Sequence, residues 1–326
     1  IGLILFTILT IIITHSNRPS SVNTRILIPS VLIIVLCFSL LFLKNDYLKI
    51  VTTDIDSKGS RFRLLSEYQS HYGNLKVVGE IPKEKEEISR YLLLQDGSAQ
   101  GIMGINGISL AAFTHNLEKL TNLFPNATNA LILGFGAGVV PQKLRQKGIE
   151  VSVVEINPDT LEIAKKYFHY QQKGTKFFFE DARTFLKNCV NEYDIVVLDL
   201  FQGDGVPEHM MTKESFQDIK TCLHKDGIFV SNIFIGLEKE DAWMSILATV
   251  NSVFSNVHFF HTTTEFDKDD KIKLTNANFV ATKNKKQNNI INTLVINTLV
   301  FTWLGRVESV PTSNLQPNLN DLPNLI

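Results

Sequence analysis

Neither sign of charge dominates this chain of 326 residues: 32 Lys and Arg stand against 33 Asp and Glu, a formal net charge of -1. No Lys/Arg stripe interleaved with aromatics is present either, so the electrostatic footprint of a nucleic-acid binder is missing. Cysteine is scarce. Cys37, Cys189 and Cys222 are far apart and form no CxxC pair, which argues against a disulfide framework or a thiolate metal site and fits a reducing compartment. No His/Cys/Asp cluster has metal-ligand spacing, so no metal is expected, and no nucleophile elbow stands out. What is present is ordinary for a globular chain: 44% hydrophobic and 20% charged residues, which exclude disorder and collagen-like classes.

Charge is absent altogether from residues 26–43 (ILIPSVLIIVLCFSLLFL). As a helix these 18 residues would measure about 27 Å, close to a hydrocarbon core of roughly 30 Å, so the run is expected to cross a membrane. Residues 1–14 (IGLILFTILTIIIT) are apolar but fewer; the chain opens on Ile rather than Met, and a truncated first span is expected there. A basic n-region and a small-residue cleavage site, the marks of a signal peptide, are lacking. Arg18 and Arg25 precede the second run, whereas Lys44, Lys49, Lys58, Arg61 and Arg63 follow it. The positive-inside rule then places the remainder in the cytoplasm, with the chain held at the membrane.

Beyond the runs, the pattern predicts a linker over 44–60 and a small antiparallel β region over 61–108, built from short β-prone segments such as LKVVGEI and RYLLLQD. Helical periodicity starts at Ser109 and stops at Pro125. From residue 130 seven apolar strands alternate with helices: ALILG, VSVVE, KFFFED, YDIVVLD, GIFVSNIF, VHFFHT and NFVATK. Near-continuous hydrophobic strands joined by helices imply a parallel sheet covered on both faces, an α/β domain over 109–283. Residues 284–326 read as a basic linker (KNKKQNN), an amphipathic or docking helix over 290–304 and a tail.

The chemistry gathers at the strand ends. Gly134, Gly136 and Gly138 form a glycine loop between the first strand and its helix, where backbone can approach a ligand and unpaired N–H groups face it. The third Gly of the dinucleotide pattern GxGxxG is replaced by Val139 or Pro141, which disfavours NAD. Glu155 ends the second strand, 21 residues after Gly134, where an acid can accept both ribose hydroxyls of an adenosyl group. Asp181 ends the third strand, beside Ala182, and Asp199 ends the fourth. In a parallel sheet these ends share one edge.

These residues resemble the class I S-adenosylmethionine-dependent transferases, with their Rossmann-like seven-stranded sheet. More narrowly, LDLFQGDGVPEHMMTKESF resembles the spermidine synthase-like proteins of the membrane-fused type, and YGNLKVV, LLLQDGSAQ and the His115 helix resemble the small N-terminal β region of that family. The resemblance covers about residues 66–283, and the closing LNDLPNLI is similar to that family's end. It implies a membrane-anchored transferase in polyamine biosynthesis that moves an aminopropyl group from decarboxylated S-adenosylmethionine to a small-molecule amine, with a homodimer as a further partner expectation. Gly134, Gly136, Gly138, Glu155, Asp181, Ala182 and Gln100 would hold the adenosyl donor; Asp199 would be catalytic; Tyr72, His115, Asp204 and His209 would face the acceptor. Four residues separate Asp199 from Asp204 where spermidine synthases proper have two, and no acid stands at 104–107 where that family holds the polyamine. Two other readings stay open: a methyltransferase using S-adenosylmethionine itself on the same fold, and a non-catalytic module that binds an adenosyl ligand.

Overall fold

The computed structural model describes residues 59–202, 205–235, 240–262, 275–283 and 307–310. Two compact units divide the chain: residues 1–64 with 81–86, and residues 65–80 with 87–326. In the first, the described part includes a hydrogen bond from Arg61 Nη2 to Lys85 O at 3.3 Å. Everything that follows concerns the second unit. Among the described residues no helix is long and apolar enough to cross a membrane; the runs at 1–14 and 26–43, the linker at 44–58, Asp204 and the helix expected over 290–304 lie outside the described residues.

Four antiparallel strands come first: β1 (Arg61–Ser70), β2 (Gly73–Ile81), β3 (Arg90–Gln95) and β4 (Ser98–Gly104), in the order β1-β2-β3-β4. Helix α1 (Ala112–Thr121) follows, shorter at both ends than the periodicity implied. The chain then alternates through β5 (Asn129–Leu133), α2 (Val139–Gln146), β6 (Glu150–Val154), α3 (Asp159–Tyr167), β7 (Thr175–Phe178), α4 (Ala182–Leu186), β8 (Tyr193–Leu198), α5 (Lys213–Cys222), β9 (Leu223–Ile235), α6 (Glu240–Val253), β10 (Asn256–Thr262), β11 (Thr275–Thr282) and β12 (Val307–Val310).

The large sheet has the order β12-β10-β11-β9-β8-β5-β6-β7. Its centre is parallel, from β7 through β9. Strand β11 is inserted antiparallel between β9 and β10, and β12 adds antiparallel to the edge of β10. That last strand was not anticipated: its four residues lie where only helix and tail were expected. A four-residue edge strand has too short a pattern to register as one.

Alternation along the central strands splits the core in two. Leu131, Leu133, Val196 and Leu198 face Leu186, Phe216, Ile219 and Leu247 on one side of the sheet. Ala130, Ile132, Ile195 and Val197 face Leu117, Leu120, Val140, Leu144 and Leu161 on the other. Burying a Leu or Ile side chain removes enough apolar surface to stabilise the fold by about 1.5–3 kcal/mol, so these columns fix the register. Helices α4 and α5 are tied together by the Arg183–Asp218 ion pair and by a disulfide between Cys189 and Cys222, whose Cα atoms are 4.8 Å apart. The disulfide corrects the cysteine reading. The two residues are 33 apart in sequence, but one follows α4 and the other ends α5, and the side-by-side packing of those helices brings them together.

Candidate active site

Strand order reverses at β5, which has β6 on one side and β8 on the other. Chains leaving these strands diverge there, and the crevice beyond their carboxyl ends is where ligands bind in such sheets. A cavity of about 150 Å³ occupies that position, lined by Gly134, Phe135, Gly136, Glu155, Asp181, Ala182, Asp199, Leu200 and Phe201 from the strand ends, and by His71, Tyr72, Leu93, Gln95, Gln100 and Phe113 from the small sheet and α1.

Gly134 has φ +93°, and a Cβ there would stand 2.2 Å from Asp199 O. Its first use is therefore to let the end of β8 pass; Asp199 N in turn donates to Leu133 O at 2.9 Å. Gly136, with φ +53°, is different: an added Cβ would meet nothing nearer than Gln100 O at 3.5 Å, so its backbone faces open space on the cavity wall. Close approach of the small sheet is set by Gly101, where a Cβ would lie 2.7 Å from that of Ala137.

Three acids meet here under different constraints. Glu155 Oε2 accepts from Phe135 N at 3.0 Å and Oε1 from Asn157 N at 2.8 Å, which locks the glycine loop to the end of β6. Burial pushes its carboxyl above the ordinary range, against hydrogen bonds from the Asn157, Phe135 and Ile156 backbone. Asp181 caps α4, with Oδ1 accepting from Thr184 N at 2.9 Å, and its Oδ2 lies 3.2 Å from His209 Nε2. Asp199 accepts from Asn232 Nδ2 at 2.9 Å on Oδ1. Burial raises its pKa from 3.8 to about 6, opposed only by that Asn232 hydrogen bond.

Of the residues singled out in the sequence, Gln100, Gly134, Gly136, Glu155, Asp181, Ala182, Asp199, Tyr72 and His209 all line this cavity. Gly138 and His115 do not. Gly138 stands at the start of α2, where a Cβ would collide with Tyr170 Cδ2 at 2.7 Å, so packing of the loop explains its glycine. His115 Nε2 donates to Ser109 O at 2.8 Å, and this bond within the entry to α1 holds the ring off the cavity. Lining residues with no sequence signal of their own include His71, Phe113 and Phe201. Asn157 had one: an Asn before Pro158 at a helix start, whose Oδ1 indeed accepts from Asp159 N at 3.1 Å.

The cavity wall contains Glu155, Glu180, Asp181 and Asp199, and among its described residues there is no Lys or Arg. Such a wall suits a cationic ligand and offers no fixed cation to a carboxylate.

Comparison with known proteins follows the same line. The family model for the spermine/spermidine synthase domain matches residues 110–277, more than half of the 326-residue chain. A polyamine aminopropyltransferase of Vibrio vulnificus is 34% identical over 142 residues, 42% of this chain and 46% of that protein. An N-terminal histidine N-methyltransferase of Emericella nidulans is 31% identical over 138 residues, 41% of this chain and 24% of that protein. The chain thus spans about half, or less, of the length of these relatives. Among solved structures, a probable spermidine synthase from Corynebacterium glutamicum superposes with a TM-score of 0.63 at 14% identity, covering 78% of this chain and 92% of that one, a likeness of fold.

Proposed function

Because the chain belongs to the spermine/spermidine synthase domain family, whose model spans residues 110–277, we propose that its cavity transfers an aminopropyl group from decarboxylated S-adenosylmethionine to an amine. The charge of the wall carries this reading: four acids and, among its described residues, no Lys or Arg. Decarboxylation removes the only anionic group of S-adenosylmethionine and leaves a sulfonium and an ammonium, so an acid-lined site favours the decarboxylated donor.

Glu155 and the backbone at Gly136 would hold the adenosyl ribose and its neighbours, with Asp181, Ala182 and Gln100 alongside. When bound, the donor supplies a carbon made electrophilic by the adjacent sulfonium. Asp199 acts on the other partner. An amine attacks carbon only through a free lone pair, so the ammonium must lose a proton as the N–C bond forms and the C–S bond breaks. With a pKa pushed up to about 6, Asp199 is ionised in most molecules at neutral pH yet basic enough to take that proton. Tyr72 and His209 stand on the same wall to orient the acceptor, and Asp204 is assigned to its far end.

Methyl transfer is the second reading, favoured by the relative from Emericella nidulans and by the lack of acids at 104–107. Calorimetry of the full chain separates the two. Aminopropyl transfer requires at least tenfold tighter binding of decarboxylated S-adenosylmethionine than of S-adenosylmethionine itself; equal or reversed affinity would refute it. The charge-free run at 26–43 and the basic residues after it support a membrane anchor with the catalytic region in the cytoplasm, which protease protection in sealed vesicles tests. The family resemblance supports a homodimer, which light scattering tests.

A further inference from the structure

Two parallel strands deliver polar side chains to one spot. Along β8, Ile195 and Val197 lie in the core on the α1 side and Asp199 follows at the next position of that face. Along β9, Ile228 and Val230 lie in the same core and Asn232 follows. Alternation alone therefore sets the amide beside the carboxylate. Asn232 is 1% exposed, and its Nδ2 donates to Asp199 Oδ1 at 2.9 Å. The ionised carboxylate fixes that orientation, because a turned amide would set oxygen against oxygen.

The other end of the amide is then left over. Asn232 Oδ1 is buried and has no hydrogen-bond partner among the described residues. Asn276 Oδ1 is in the same condition. Asn276 pairs with Phe234 and Asn278 with Asn232, so Asn276 is the diagonal neighbour of Asn232 across the β9–β11 pair. A buried acceptor without a donor costs about 1–3 kcal/mol, and a Val or Ile, as at the two preceding positions of this face, would avoid that cost. An unpaired oxygen held next to Asp199 points to a donor that arrives with a ligand.

We propose that Asn232 is an amine-binding residue whose Oδ1 accepts one N–H of the acceptor while its Nδ2 holds Asp199 Oδ1, leaving Asp199 Oδ2 for the proton. This rests on the reading of Asp199 as the amine site. It names the acceptor class: a primary amine, which offers N–H groups to both Asp199 and Asn232 at once. A tertiary amine, with a single N–H when protonated, satisfies only one of them.

The test uses the full chain saturated with methylthioadenosine and titrated with butylamine and with N,N-dimethylbutylamine, for the unsubstituted protein, Asn232→Leu and Asn232→Ser. The unsubstituted protein should bind butylamine at least tenfold more tightly than the dimethyl compound. Both variants should lose that preference, with methylthioadenosine affinity changed less than twofold, which reports an intact fold. A variant that keeps the preference overturns the inference, and so does an unsubstituted protein that takes up neither amine. If the preference depends on Asn232 while the donor test favours S-adenosylmethionine, the amine site is supported and aminopropyl transfer is refuted.

Discussion

Replacing Asp199 with Asn should abolish turnover and, above about pH 6, make the protein more stable. Burial lifts this carboxyl from 3.8 to about 6, so ionising it in the folded state is uphill by about two pH units. At 1.36 kcal/mol per unit that is about 3 kcal/mol of stability given up at neutral pH. The sign follows from linkage: between pH 3.8 and about 6 the folded protein binds more protons than the unfolded chain. The stability is therefore complete below the unfolded value and lost as pH rises through the folded one. Asn cannot ionise, and it keeps an oxygen to accept from Asn232 Nδ2. For a domain of this size about 3 kcal/mol corresponds to a rise in Tm of roughly 6–12 °C, present at pH 8 and shrinking toward zero near pH 4. Thermal unfolding of both proteins across that range, with turnover measured beside it, is the assay. A difference in Tm that stays constant with pH would refute the burial argument, as would an Asn variant that is the less stable at pH 8.

Gly134→Ala should fail to give stable protein, since its Cβ would lie 2.2 Å from Asp199 O at φ +93°; a thermal melt within about 1 kcal/mol of the unsubstituted chain would contradict that geometry. Glu155→Ala releases Phe135 N and Asn157 N and removes the acid at the end of β6, so calorimetric affinity for methylthioadenosine should fall at least tenfold. At the opposite end of the sheet, burial raises the Asp194 pKa but hydrogen bonds from His224, Thr128 and Asn129 outweigh it and leave the carboxyl below 3.8. Its folded value being depressed, Asp194 contributes stability that is present above 3.8 and lost as pH falls. Asp194→Asn should therefore lower Tm at pH 7 and converge with the unsubstituted protein in strong acid, the reverse of the Asp199→Asn profile.

The sheet could be read from the sequence because its central strands are apolar on both faces: ALIL and DIVVL are buried without a gap, and each ends in a glycine or an acid at the same edge. Glu155, Asp181 and Asp199 were legible for the same reason, as polar residues closing apolar runs. Roles were harder to read than places. Gly134 and Gly138 looked alike in the loop, yet one makes room for backbone and the other for aromatic rings. His115 and His209 looked alike as isolated histidines, and only the fold turns one to Ser109 O and the other to Asp181. The Cys189–Cys222 pair depends on two helices packing across 33 residues, a contact no local spacing reveals. Asn232 was hidden inside GIFVSNIF, where a single amide reads as a break in a strand rather than as part of a site.

The three acids separate once their partners are counted. Both oxygens of Glu155 already accept backbone N–H groups, so its negative charge is stabilised by the loop it fixes, and it has directional lone pairs left for hydroxyl donors. Asp181 is divided between a helix cap and His209, on the outer part of the wall. Asp199 alone has an oxygen with no donor among the described residues, on a carboxyl that burial makes basic. A proton acceptor needs both properties: a free lone pair to receive the proton and a pKa close enough to neutrality that transfer is not steeply uphill. Neither Glu155 nor Asp181 meets the first condition, which is why the reacting amine belongs at Asp199 and the hydroxyl-bearing part of the donor belongs at Glu155.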